Sequence, residues 1–99
     1  MNSSEYMHID FHNRAKKIFF TVYRDFLNAT AFINRNESEL QYQQFYRQYI
    51  YIMKRQLETA AKEVLMENQE QKRISEIDVQ LNAWISDYIH QFRQKVSND

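Results

Sequence analysis

Two histidines near the start of the chain have the spacing at which side chains share one face of an α-helix. His8 and His12 are four residues apart, and Glu5 precedes His8 by three. Such residues are neighbours on a helix surface, so two imidazoles and one carboxylate could approach a divalent transition metal there. The sequence offers no fourth ligand in the same pattern. We therefore predict a solvated histidine pair without a metal, and we interpret the isolated His90 in the same way.

A second set of residues has a spacing used in catalysis. Arg35 and Asn36, followed after four residues by Gln41, resemble the Arg-Asn-x4-His element of the HEPN family of helical ribonucleases. In that family the histidine is essential, whereas the Gln41 amide cannot serve as a general acid or base. A helix cap accounts for the same residues more simply. We predict no catalytic residue and no enzymatic activity.

The composition suits a single small domain without covalent cross-links. The 99 residues are 43% apolar and include seven Phe, seven Tyr and one Trp, which is ample material for a core. The chain has no Gly, no Pro and no Cys. The absence of Gly and Pro disfavours a strand-rich fold. The absence of Cys excludes disulfides and thiolate chemistry and fits a reducing compartment, so we expect a cytoplasmic protein.

The sequence lacks the patterns of targeting and membrane segments. Its first residues, MNSSEYMHID, are polar and acidic, unlike a secretory signal. No apolar run approaches the roughly 18 residues of a membrane span. The formal charge is zero at pH 7, so net charge gives no reason to expect nucleic-acid binding. We expect no membrane partner and no cofactor.

Apolar residues recur every three or four positions along three stretches, which is the pattern of amphipathic helices. The stripes include Phe11, Ala15, Val22, Phe26, Met53, Leu57, Val64, Leu81, Trp84, Tyr88 and Phe92. They predict helices over about 5–34, 37–69 and 75–97. Short connections between long helices imply antiparallel neighbours, so we predict an all-α, up-down-up bundle of three helices in one domain, residues 1–99. We expect Trp84 to be largely buried.

The first break between helices contains two alternative start signals. Asn36 with Glu39, and Ser38 with Gln41, both have the spacing of a capping box. In that arrangement the side chain at the cap accepts a hydrogen bond from an otherwise unpaired amide of the first turn. The sequence alone does not determine whether Asn36 or Ser38 is the N-cap residue.

Basic residues cluster in three segments that contain no acid, 11–24, 41–57 and 88–96. In an antiparallel bundle these segments fall at overlapping heights and form a belt, defined here by Arg14, Lys17, Arg24, Arg47, Lys54, Arg55 and Arg93. An uneven solvated surface is the alternative interpretation. As a functional surface, the belt favours an acidic protein partner over nucleic acid, because duplex-binding proteins are usually basic overall.

Two pairs of apolar residues lie outside the main stripes. Phe20 and Leu27 are seven apart on the first helix, and Phe45 and Ile52 are seven apart on the second. They either widen the core or form an exposed patch that binds a partner or a second copy of the chain.

The sequence thus predicts a non-enzymatic interaction module. We expect a small adaptor, regulator or inhibitor that binds a partner protein through its helix faces and that self-associates if the surplus apolar residues are exposed. The alternative is a nucleic-acid-binding accessory protein that uses the same belt.

Overall fold

The computed structural model describes residues 3–34, 36–67 and 74–98, with side chains described for 7–34, 36–67 and 79–97. Three helices account for nearly all of these residues: α1 over Ser3–Thr30, α2 over Glu39–Glu67 and α3 over Ile74–Asn98. The described residues include no strand. The predicted all-α fold is confirmed, and the helix boundaries differ from the predicted ones by a few residues. The predicted end of α2, at residue 69, lies outside the described residues.

Helix α1 ends four residues earlier than predicted, because its last turn tightens. The amides of Ala31 and Ile33 donate to carbonyls three residues back, at 3.4 and 3.1 Å, and such bonds close the end of a helix. The Thr30 hydroxyl donates to the carbonyl of Phe26 at 2.9 Å. The apolar stripe continues to Ile33 across this end, which is why periodicity alone overestimates the helix.

Ser38 stands at the N-cap of α2. Its carbonyl accepts the first intrahelical bond, from the Tyr42 amide at 3.0 Å, as an N-cap carbonyl does. Asn34 shapes the preceding turn: its side-chain oxygen accepts from the Asn36 amide at 3.0 Å, and its carbonyl accepts from the Ser38 amide at 2.8 Å. Of the two N-cap residues that the sequence allows, the structure therefore has Ser38, and α2 begins at Glu39. Arg35 lies outside the described residues.

Contacts between the helices establish the up-down-up order. Arg14 in the first half of α1 reaches Glu63 near the end of α2, and the ring of Phe26 near the end of α1 lies 5.7 Å from that of Tyr42 near the start of α2. These two helices are therefore antiparallel. His12 and Tyr88, and further along Phe19 and Phe92, pair α1 with α3 in parallel. The bundle is elongated, with extents of 53 × 20 × 19 Å.

One core runs the length of the bundle. Its fully or almost fully buried residues are Met7, Phe11, Ala15, Val22, Phe26, Met53, Leu57, Ala60, Ala61, Val64, Leu81, Ile85, Tyr88, Phe92 and Val96. At one level the Phe26 ring lies 5.7 Å from Phe92 and 5.8 Å from Tyr49, so aromatic rings from all three helices meet there. Edge-to-face pairs of this kind add to the free energy gained from apolar burial.

Candidate interaction surface

The side of α1 that faces away from the bundle carries exposed apolar residues between cations. Phe20 is 66% exposed and Leu27 is 42% exposed. Lys17 and Arg24, one turn before and one turn after Phe20, are exposed as well. We define the outer face of α1 as Lys17, Phe20, Arg24 and Leu27. These four residues follow one another at spacings of three and four, so they form a single stripe along the helix.

The second apolar pair has a different position. Phe45 and Ile52 are partly buried and pack against the hydrophobic core. They therefore widen the core, and of the two pairs predicted from sequence only Phe20 and Leu27 form an exposed apolar patch.

A groove of about 420 Å³ lies between α1 and α2, beside the outer face of α1. Lys17 and Arg55, from two belt segments predicted to lie at overlapping heights, line it together with the apolar side chains of Ile18 and Ala60. Neither Lys17 nor Arg55 forms an ion pair with another described residue. This α1–α2 groove thus combines an apolar floor with two cations that have no carboxylate partner within the described chain.

Arg14 lines the same groove, but its charge is already balanced. Its guanidinium donates to Asp10 at 2.9 Å, to Glu63 at 2.9 Å and to Glu67 at 2.8 Å. The hydrogen bonds to Glu67 and Asp10 raise the pKa of Arg14, although partial burial opposes the rise. Among the predicted belt residues, Arg14 therefore links α1 to α2 through ion pairs and is not a free cation.

The remaining belt residues lie elsewhere on the bundle. Lys54 and Arg93 share a second groove, of about 300 Å³ between α2 and α3, with His90 at its edge. Arg47 is exposed on α2. The structure thus splits the belt: two grooves between different pairs of helices hold five of its residues, and Arg24 and Arg47 line neither groove.

Sequence reasoning missed the apolar residues near the α1–α2 turn. Phe32 is 100% exposed and Leu40 is 75% exposed. Phe32 lies beyond the end of α1, and Leu40 begins α2 away from its buried stripe. Both residues lie outside the main apolar stripes, and this position in the sequence could have predicted their exposure.

The predicted histidine pair packs into an aromatic cluster between α1 and α3. The His8 and His12 rings lie 4.4 Å apart, and both contact Trp84, at 4.6 and 4.7 Å. A hydrogen bond of 2.6 Å joins His12 Nδ1 and the Tyr88 hydroxyl. His12 is partly buried, so the pair is less solvated than predicted. Trp84, which was expected to be largely buried, is partly buried and packs against the hydrophobic core.

Burial is the main cause of the pKa shifts of His12 and Tyr88. It lowers the pKa of His12, with further lowering by the nearby charges of His8 and Lys16 and an opposing effect of Asp87. Burial raises the pKa of Tyr88, and Asp87 adds to that rise. The side chain of Glu5 lies outside the described residues. Within 7–34, 36–67 and 79–97, no group of three or more His, Asp or Glu residues is placed to hold a metal ion.

Comparisons with known proteins assign no family to this chain. No protein-family model, curated protein or solved structure matches this chain. Across the described residues, no helix combines the length and apolar character that crossing a bilayer requires. The surface of the bundle is therefore the basis for inferring a function.

Proposed function

We propose that this chain is a non-enzymatic interaction module that binds a partner protein through the outer face of α1. The observation that carries the proposal is the exposure of Phe20 and Leu27 in one stripe with Lys17 and Arg24. Large apolar side chains that are exposed in a row usually mark a binding surface. The cations beside them favour an acidic partner, because complementary charge speeds encounter and sets orientation.

The apolar residues would supply most of the affinity. In protein interfaces a few aromatic and aliphatic anchors account for most of the binding free energy, and flanking charges contribute mainly to orientation and association rate. Phe20 is the principal anchor because it is the larger and the more exposed of the pair. Neither residue supports the bundle core, so both are free to serve binding.

Affinity capture from native lysate with matched baits tests the proposal. One bait carries Phe20→Asp with Leu27→Asp, and the control carries Met66→Asp with Val79→Asp. The control residues are also exposed apolar side chains and undergo the same change of charge. We expect the wild type and the control to retain a specific protein and the α1 variant to lose it. Equal retention by all three baits would refute binding through this face.

A nucleic-acid-binding function is the second candidate, and the exposure of Tyr51 favours it. Tyr51 is 62% exposed on α2, in the segment that also carries Lys54 and Arg55. An exposed ring among cations can stack a base of a single strand. Titration with a fluorescent oligothymidylate tests this candidate: binding that weakens steeply with salt and is lost in Tyr51→Ala would support it.

A further inference from the structure

The outer face of α1 and the α1–α2 groove form one continuous surface. Lys17 belongs to both, since it lines the groove and also lies one turn before Phe20. From Lys17 to Leu27 the stripe extends about 15 Å along the helix, at 1.5 Å per residue. Arg55 approaches this surface from α2. A ligand that covers Phe20 and extends past Lys17 would therefore reach the groove that Arg55 lines.

The charges on this surface favour an anionic ligand. Lys17 and Arg55 have no ion pair with a described residue, and the one ion pair of Arg24 is to its own neighbour Asp25, at 3.4 Å. The segment 11–24 contains no acid. Asp10, Glu63 and Glu67, which could otherwise neutralise the groove, are engaged by Arg14. The surface thus presents uncompensated positive charge next to exposed apolar side chains.

The geometry also limits the backbone of the occupant. The backbone amides and carbonyls of α1 between Lys17 and Leu27 are paired within the helix, so an extended segment would find no backbone partners there. A helix satisfies its own backbone groups and can offer apolar residues at the seven-residue spacing of Phe20 and Leu27.

From these observations we infer that the surface formed by Lys17, Phe20, Arg24, Leu27 and Arg55 receives an acidic amphipathic helix of the partner. The inference rests on the proposed function and specifies the partner's chemistry. Apolar residues of that helix pack on Phe20 and Leu27, and its carboxylates pair with Lys17 and Arg55 in the groove.

A second copy of the chain is a poorer occupant. In a two-fold symmetric dimer each patch meets itself. Joining two outer faces of α1 would then bring the cations of one copy onto the same positively charged stripe of the other. Like charges at close range oppose association, whereas an acidic helix turns the same charges into favourable contacts.

Synthetic helices provide the test. The acidic probe is an alanine-based peptide of about 18 residues, long enough to form a helix, with two Leu seven apart and Glu beside them. The basic probe has Lys in place of each Glu. Each is titrated into ¹⁵N-labelled protein and followed by amide chemical shifts. We expect the acidic probe to bind more tightly and to shift residues around Lys17, Phe20, Leu27 and Arg55.

Charge reversal at the groove gives the decisive comparison. Lys17→Glu with Arg55→Glu should weaken the acidic probe by about tenfold and should improve binding of the basic probe. The control, Lys62→Glu with Arg47→Glu, changes one exposed Lys and one exposed Arg outside the groove and should have less effect. If the reversed groove variant loses helicity, Lys17→Gln with Arg55→Gln replaces it, with an expected loss of about threefold.

Several outcomes would overturn the inference. The inference fails if the two probes bind with equal affinity or if the acidic probe does not bind. It also fails if the chemical-shift changes centre on another face, or if the two double reversals lower the affinity for the acidic probe equally. Doubling of the protein's mass at about 0.1 M salt without a probe, abolished by Phe20→Asp, would identify a second copy as the occupant. If the capture experiment succeeds while the acidic probe fails, the interaction function stands and the acidic helix is rejected.

Discussion

At the scale of single residues, His12 is the group whose environment changes its chemistry most clearly. It lies between α1 and α3, beside the His8 ring and Trp84, and its Nδ1 is hydrogen-bonded to the Tyr88 hydroxyl. A charge on His12 would be poorly solvated there and repelled by Lys16. The neutral imidazole is therefore the form that suits the folded protein.

This environment predicts that acid destabilises the bundle. Because the folded-state pKa of His12 lies below its ordinary value of 6.5, the unfolded chain binds more protons as the pH falls through that value. The free energy of unfolding should thus be highest above pH 6.5 and should decrease below it. Urea unfolding at pH 7.5 and pH 5.5 measures the difference.

The control for this effect is the third histidine. His12→Gln should reduce the loss of stability between the two pH values by more than His90→Gln, which replaces an exposed side chain. An identical pH dependence in the wild type and in His12→Gln would show that His12 does not contribute to it.

At the scale of helices, Arg14 joins α1 to α2. One guanidinium contacts Asp10 on its own helix and both Glu63 and Glu67 on the next. The two glutamates are 56% and 54% exposed, so solvent screens the attraction and limits its contribution. Arg14→Ala should nevertheless leave three carboxylates close together without a cation.

We predict that Arg14→Ala lowers the free energy of unfolding by roughly 1 kcal/mol, as expected for a network of exposed charges. The effect should shrink with added salt, because screening weakens both the lost attraction and the new repulsion. Arg24→Ala is the matched control, since its one ion pair among the described residues is to the adjacent Asp25. Urea denaturation at two salt concentrations checks the prediction, and equal losses from the two substitutions would contradict it.

At the scale of the whole molecule, we expect the surface of α1 to set the balance between monomer and dimer. Apolar exposure of Phe20 and Leu27 favours self-association, whereas the cations beside them oppose it. Added salt screens the repulsion between the cations of two copies but does not weaken the gain from apolar burial. Raising the salt from 0.1 to 1 M shortens the screening length from about 10 to about 3 Å.

We therefore expect the average mass in solution to rise with salt, as measured by sedimentation equilibrium. Phe20→Asp should abolish the rise while leaving helicity and the free energy of unfolding within about 0.5 kcal/mol of wild type, because the residue is exposed. Phe92→Ala, at a fully buried position, should instead cost about 3–5 kcal/mol. A mass independent of salt, or loss of helicity in Phe20→Asp, would contradict this account of α1.

The helices and their order follow from the amino-acid sequence alone. Long stripes of period 3.6 in a chain without Gly or Pro leave little alternative to three helices, and short connections make neighbours antiparallel. These features depend on residues close together in the chain. The antiparallel register that they imply also brings Lys17 near Arg55, and both residues line the α1–α2 groove.

Which surplus residues are exposed depends on tertiary packing. Phe20 and Phe45 look alike in sequence, yet Phe45 packs against the core and Phe20 faces away from it. The difference depends on how each helix is rotated about its axis and on which side the third helix packs. Likewise, Arg14 resembles any other belt cation in sequence, and only the fold places Glu63, forty-nine positions away in the chain, against it. The contact between Arg14 and Glu63 depends on how the helices pack, and the spacing of residues along one helix does not predict it.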